Sequence, residues 1–89
     1  MVERLVTVRN SHGIHARPSA EIVKTTAKFA SHITIARDDL EVNAKSIMGV
    51  MMLAAGLGSE IEIEIDGARE QEAMDALRAL VNDKFGEGV

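Results

Sequence analysis

The sequence predicts an α+β fold in which an antiparallel sheet is wet on one face and covered by helices on the other. Three observations predict it. The run Glu60-Ile61-Glu62-Ile63-Glu64-Ile65-Asp66 alternates perfectly between acid and isoleucine, as a strand with one buried face requires. Two segments, residues 16–29 and 69–84, carry apolar side chains at helical spacing. The chain has 89 residues, of which 46% are hydrophobic and 27% charged, with a single Pro. That suits one globular domain spanning 1–89 and leaves no room for separate catalytic and substrate domains.

The elements follow in the order β-α-β-β-α-β-α. Val2, Val6 and Val8 share one face with Arg4, while Glu3, Leu5 and Thr7 share the other, which reads as a first strand with one imperfect apolar side. Asn10-Ser11-His12-Gly13 interrupts it. Pro18 is tolerated only in the first turn of a helix, so the first helix starts near His15–Arg17. It runs to about Phe29 with Ala20, Ile22, Val23, Ala27 and Ala30 as its expected apolar stripe. Ile33 and Ile35 alternate with His32, Thr34 and Ala36 to give a second strand, and Asp38-Asp39 turns the chain into a third through Leu40 and Val42. Ser46 stands before an apolar run and is the expected N-cap of a short helix ending around Gly56 or Gly58. After the alternating strand, Ala73, Met74, Leu77, Leu80 and Val81 mark the last helix.

Composition excludes several classes of function. No cysteine is present, which removes disulfides, a thiolate nucleophile and thiolate metal sites, and fits a reducing cytoplasm. The apolar stretch from Ile47 to Leu57 is far short of the ~20 residues of a membrane helix, and Met1-Val2-Glu3-Arg4 does not begin a secretory signal. Neither nucleic acid binding nor membrane insertion is expected: the net charge is −4, and Phe29 and Phe85 are the only aromatics among Phe, Tyr and Trp. The charge is uneven, however. Residues 1–37 carry six Lys or Arg and two acids, whereas residues 38–89 carry four and twelve. His12, His15 and His32 do not form a metal site by spacing alone, since no carboxylate cluster or cysteine accompanies them, and no metal or cofactor is expected.

The segment Gly13-Ile14-His15-Ala16-Arg17-Pro18 is where chemistry is expected. A helix beginning there presents its first backbone N–H groups, those of Ala16 and Arg17, to an anion, reinforced by the positive end of the helix dipole. His15 stands beside that site, and a neutral imidazole is a nucleophile that can attack phosphorus. The Arg17 guanidinium offers a fork of donors matched to phosphate oxygens. Pro18 presets the helix start whatever the function. The run Ile47 to Leu53 is apolar on nearly every side, so either part of it, including Met48 or Met51, stays exposed as a contact surface, or its three Met fill core gaps. Ser46 is a structural cap that can also accept a phosphate.

Together, Gly13-Ile14-His15-Ala16-Arg17-Pro18 and Asn43-Ala44-Lys45-Ser46-Ile47-Met48-Gly49-Val50-Met51 resemble the two signature segments of HPr, the histidine-containing phosphocarriers of the bacterial phosphoenolpyruvate:sugar phosphotransferase system. The resemblance extends over nearly the whole chain. It implies an open-faced β-sandwich with strand order 1-4-2-3 and three helices on one side. It implies that His15 takes a phosphoryl group on Nδ1 from phosphorylated enzyme I and passes it to a histidine of an enzyme IIA domain, so that the protein is a carrier and not a stand-alone enzyme. Arg17 matches the arginine beside the phosphohistidine. Ser46 matches a regulatory serine modified by a dedicated kinase, an HPr kinase/phosphorylase. Ile47, Met48 and Met51 match an exposed apolar patch that meets partners. A monomer is expected.

Departures from the family pattern are Ile14 in place of Leu, Ser19 in place of Ala, and His12 where Asn, Asp or Gly is frequent. Ile14 conserves volume; Ser19 adds a phosphate donor or does nothing; His12 bears on partner choice. A nitrogen-branch paralogue shares the His15 segment and stays open as a reading. So does a regulatory binding module acting through the Ser46 surface, which would not need His15. A small-ligand regulatory domain is weaker, because Asn10-Ser11-His12-Gly13 holds one glycine only.

Overall fold

The structure, a computed structural model, describes residues 1–86. Its elements are β1 (Val2–Thr7), α1 (Ala16–Thr26), β2 (His32–Arg37), β3 (Leu40–Asn43), α2 (Ile47–Met52), β4 (Glu60–Asp66) and α3 (Glu70–Asn82), followed by a single 3-10 turn at Lys84–Gly86. The four strands form one sheet in the order β1-β4-β2-β3, and every neighbouring pair is antiparallel. This is the expected α+β arrangement, including the strand order that the family resemblance implies.

β4 is central because it pairs with β1 and β2 at once, placing Ile61 opposite Val6, Ile63 opposite both Arg4 and Ile35, and Ile65 opposite Val2 and Ile33. Period-two alternation then sends every isoleucine of these strands to one face, where each is 1% exposed or less. Removing one such side chain from water contributes about 1.5–3 kcal/mol, so the three isoleucines of β4 form a substantial part of the core. The helical layer answers with Ile22, Val50, Leu53, Ala73, Met74, Leu77 and Val81, all buried. The opposite face of the sheet, with Glu3, Glu62 and Glu64, is left to solvent. Among the described residues no helix is long and apolar enough to cross a membrane.

Three local expectations are corrected. The buried side of α1 is Pro18, Ser19, Ile22 and Thr26, continuing to Phe29, while Ala20, Ala27 and Ala30 are exposed. Polar Ser19 and Thr26 occupy the core-facing stripe, so a stripe drawn through apolar residues is rotated. Thr26 is accommodated there because its hydroxyl donates to the Ala44 carbonyl (2.9 Å) as well as to that of Val23 (3.2 Å). α1 also ends at Thr26, three residues before Phe29, and α2 ends at Met52 and not near Gly56 or Gly58. The second stop has an identifiable cause. Ala54 takes a left-handed backbone (φ +48°), and Arg37 at the end of β2 donates to the terminal carbonyls of Leu53 (3.0 Å) and Ala54 (3.2 Å).

Candidate phosphoryl-transfer site

The candidate site is built on a tight turn between β1 and α1. Gly13 N–H donates to the Asn10 carbonyl (3.1 Å), and the Asn10 side-chain amide returns a hydrogen bond from Nδ2 to the Gly13 carbonyl (2.7 Å). Asn10 is fully buried. Gly13 has φ +68°, and a Cβ there would fall 2.7 Å from Gly56 Cα and closer still to the Ala55 carbonyl oxygen. Only glycine fits that approach. The next residue fastens the contact: Ile14 N–H donates to the Ala55 carbonyl (2.8 Å), with the Ile14 side chain buried. The turn before α1 is therefore stitched to the segment just after α2, some forty residues away in sequence, which places the two signature segments in one layer.

His15 is the N-cap residue of α1, with an extended backbone (φ −100°, ψ −161°), and its side chain is exposed and makes no capping bond to the helix. Its carbonyl accepts the first helical bond, from Ser19 N–H (2.9 Å). Pro18 has no N–H, so the donors left over in the first turn are those of Ala16 and Arg17. Arg17 is exposed, and among the described residues no carboxylate pairs with its guanidinium. An exposed imidazole, two backbone donors and the Arg17 side chain thus belong to the first turn of an eleven-residue helix. His12 stands edge-on to His15, with ring centroids 6.0 Å apart. Ser19, by contrast, is buried on the core side of α1 and is not displayed beside the ring.

The second segment forms as expected at its start. Ser46 is the N-cap of α2 and its hydroxyl oxygen accepts from Gly49 N–H (3.1 Å). Asn43 supports it from below: its side-chain oxygen accepts from Lys45 N–H (2.9 Å) and its carbonyl from Ser46 N–H (3.1 Å). The Lys45 ammonium is spent on the Phe29 carbonyl (2.7 Å). Val50 and Leu53 turn inward, whereas Ile47 (43%), Met48 (76%), Met51 (44%), Met52 (64%) and Leu57 (61%) stay exposed. The question of core-filling against surface methionines is decided here by exposure. Met52 and Leu57 enlarge the apolar surface beyond Ile47, Met48 and Met51; the uninterrupted run was the signal for them, but which side of a six-residue helix faces out depends on where the sheet lies.

Elsewhere, Glu3, Glu62 and Glu64 bring carboxylate oxygens within 4.8 Å of one another on the open face of the sheet. Glu64 is held above the usual carboxylate range, by desolvation first and then by the charges of Glu3, Glu62 and Glu41. A shallow depression on that same face is lined by Met1, His32, Thr34, Glu41, Glu64 and Asp66. Neither feature belongs to the His15 turn. Among the described residues, His12 and His15 gather no third metal-ligating side chain.

The fold is an open-faced α+β sandwich with an exposed histidine at the mouth of its first helix. A family model described as the phosphorylation site of the HPr component of the phosphotransferase system matches residues 2–83. The chain belongs to the HPr family of phosphocarriers. It is 52% identical over 88 residues to the phosphocarrier protein HPr of Cupriavidus necator, covering 99% of each chain. Among solved structures, HPr-C-His from Thermoanaerobacter tengcongensis superposes with a TM-score of 0.95 at 43% identity, covering 100% of both chains. An HPr dimer from the same organism gives 0.78 at 44% identity, covering 98% of this chain and 100% of that one.

Proposed function

We propose that the protein accepts a phosphoryl group from phosphorylated enzyme I on Nδ1 of His15 and donates it to a histidine of an enzyme IIA domain. The observation that carries this reading is the placement of an exposed His15 at the N-cap of α1, followed at once by exposed Ala16 and Arg17 in the first turn of the helix. The Nδ1 lone pair forms the new bond to phosphorus as the donor's bond breaks, and that bonding pair stays with enzyme I. Positioned cations and N–H dipoles lower the energy of charge spread over the phosphoryl oxygens in a loose transition state, where most of such catalysis resides. The same groups stabilise the phosphohistidine until a second partner removes the phosphoryl group, so the protein is substrate and donor in turn. No metal or cofactor is required of the carrier.

Ile47, Met48 and Met51, joined by Met52 and Leu57, form the docking surface for both partners, meeting the cytoplasmic enzymes one at a time. A second copy on that face would compete with them, so the working species is a monomer. Ser46, at the edge of the patch, is the proposed regulatory site, where a kinase of the HPr kinase/phosphorylase type would add a charge that enzyme I must desolvate or repel. Incubation with phosphoenolpyruvate and enzyme I, read by intact mass, tests the central claim. The parent chain gains one acid-labile, alkali-stable phosphate and His15→Ala gains none; one phosphate on His15→Ala sinks the assignment.

A further inference from the structure

We propose that Met48 and Met52 are oxidant-responsive modification sites, at which a hydroperoxide converts the thioethers to sulfoxides and weakens docking of the phosphoryl-transfer partners, an inference that rests on the reading of α2 as their docking surface. The two residues stand four apart on a six-residue helix, so they occupy neighbouring positions on one side of it, flanked by Met51. They are 76% and 64% exposed, against 44% for Met51, whereas Met74 is fully buried in the core. The chain has five Met and no Cys, so thioethers are its only sulfur groups and no thiolate of its own intercepts an oxidant first. Access alone then ranks the methionines of the patch ahead of the one in the core.

A sulfur lone pair attacks one peroxide oxygen, and the S–O bond forms as the O–O bond breaks. The O–O bonding pair leaves with the other oxygen, which takes up the proton of the transferred one and departs as water when the oxidant is hydrogen peroxide; sulfur is oxidised and the peroxide reduced. A reductase with a dithiol reverses the step, the oxygen leaving as water and the dithiol becoming a disulfide. The product is a polar, chiral side chain where a flexible apolar one stood. Its oxygen is hydrated on the free protein and must shed that water against a partner's apolar surface, a cost that falls on the complex alone. The fold is spared for an identifiable reason. Val50 and Leu53 anchor α2 in the core, Ser46 caps its start, and Arg37 holds the carbonyls of Leu53 and Ala54, so no exposed sulfur takes part in its support. Ile47 and Leu57 in the same patch are inert to peroxide; methionine at 48 and 52 is what ties docking to the oxidant.

The test treats the full chain with dilute hydrogen peroxide, maps the added oxygen by peptide mass, and measures Kd for enzyme I together with KM and kcat of phosphorylation. Met48 and Met52 take oxygen ahead of Met51 and far ahead of Met74. Kd and KM rise about tenfold, equivalent to about 1.4 kcal/mol, while kcat and Tm stay close to those of the untreated chain. Methionine sulfoxide reductases with a dithiol restore both constants. A double variant, Met48→Leu with Met52→Leu, shows no rise when its treated and untreated samples are compared, although it still carries Met1, Met51 and Met74. An unchanged Kd in a parent with sulfoxide mapped at both positions overturns the proposal, as does an equal rise in the double variant. A fall in Tm that accompanies the loss of binding also overturns it, since the oxidation would then act through the core. Met48→Asp, left untreated, separates the two readings. If it leaves Kd for enzyme I unaltered, the docking surface and this proposal fall together; if it raises Kd while the oxidised parent binds normally, only the role of oxidation falls.

Discussion

Substituting Gly13 by Ala separates the reactive turn from α2, and Gly58→Ala provides the matched control. Both glycines have left-handed backbones, φ +68° and +86°, so each alanine carries the same conformational cost of about 1–2 kcal/mol. They differ in surroundings. Around Gly58 nothing lies within 4 Å of an added Cβ, whereas at Gly13 that atom falls 2.7 Å from Gly56 Cα. Carbon atoms rest at about 3.5–4.0 Å, so the Ala55–Gly56 loop must retreat by roughly 1 Å. That movement stretches the Ile14–Ala55 hydrogen bond, at a cost of about 0.5–1.5 kcal/mol, and overpacking adds about 1–3 kcal/mol. Gly13→Ala is therefore about 2–4 kcal/mol worse than Gly58→Ala, and each kcal/mol lowers Tm by about 4–8 °C in a domain of this size. Thermal melts of the two variants read the difference directly: Gly58→Ala melts modestly below the parent and Gly13→Ala at least about 10 °C below Gly58→Ala. Equal melting temperatures would refute the claim that the His15 turn is stitched to the end of α2.

Arg17→Ala slows phosphorylation by enzyme I with a Tm close to the parent's, because the side chain is exposed and unpaired among the described residues, and Arg17→Lys recovers only part because a point charge lacks the fork; unchanged rates in Arg17→Ala remove it from the site. Ser46→Ala loses the cap on Gly49 and about 1 kcal/mol of stability with little effect on transfer. Ser46→Asp keeps stability, because negative charge is favourable at a helix start, but raises KM for enzyme I; an unaltered KM reduces Ser46 to a cap. Glu64→Gln stabilises the fold at neutral pH. The folded-state pKa of Glu64 is raised, so its ionisation opposes folding as pH climbs through and above the carboxylate range, and the gain from Gln fades in acid where Glu64 is protonated in both states. A destabilised Glu64→Gln at pH 7, seen in urea melts at the two pH values, contradicts the crowding of carboxylates on the open face.

Much of this protein is legible along the chain because the signals are local. Alternation in Glu60–Asp66 determines which side chains are buried, whatever strand lies beside it, since the pleat has a period of two. Ser46 before an apolar run determines a helix start, because the cap needs only the N–H three residues on. His15, Arg17 and Pro18 mark a helix mouth with an imidazole and a cation, again within one turn.

What the chain could not reveal depends on atoms distant in sequence. α2 stops at Met52 because Arg37, from another strand, holds the carbonyls of Leu53 and Ala54 while Ala54 adopts a backbone for which alanine is a poor signal. The core-facing stripe of α1 passes through Thr26 and not through the alanines, because the buried Thr26 is tolerated only once Ala44 accepts its hydroxyl. Phe85 is buried through left-handed turns at Lys84 and Phe85, with no periodicity to announce it. The meeting of the His15 turn with the end of α2 is of the same kind: periodicity and capping act within a few residues, whereas the Ile14–Ala55 bond and the space beside Gly13 exist only after the sheet has brought the two segments together.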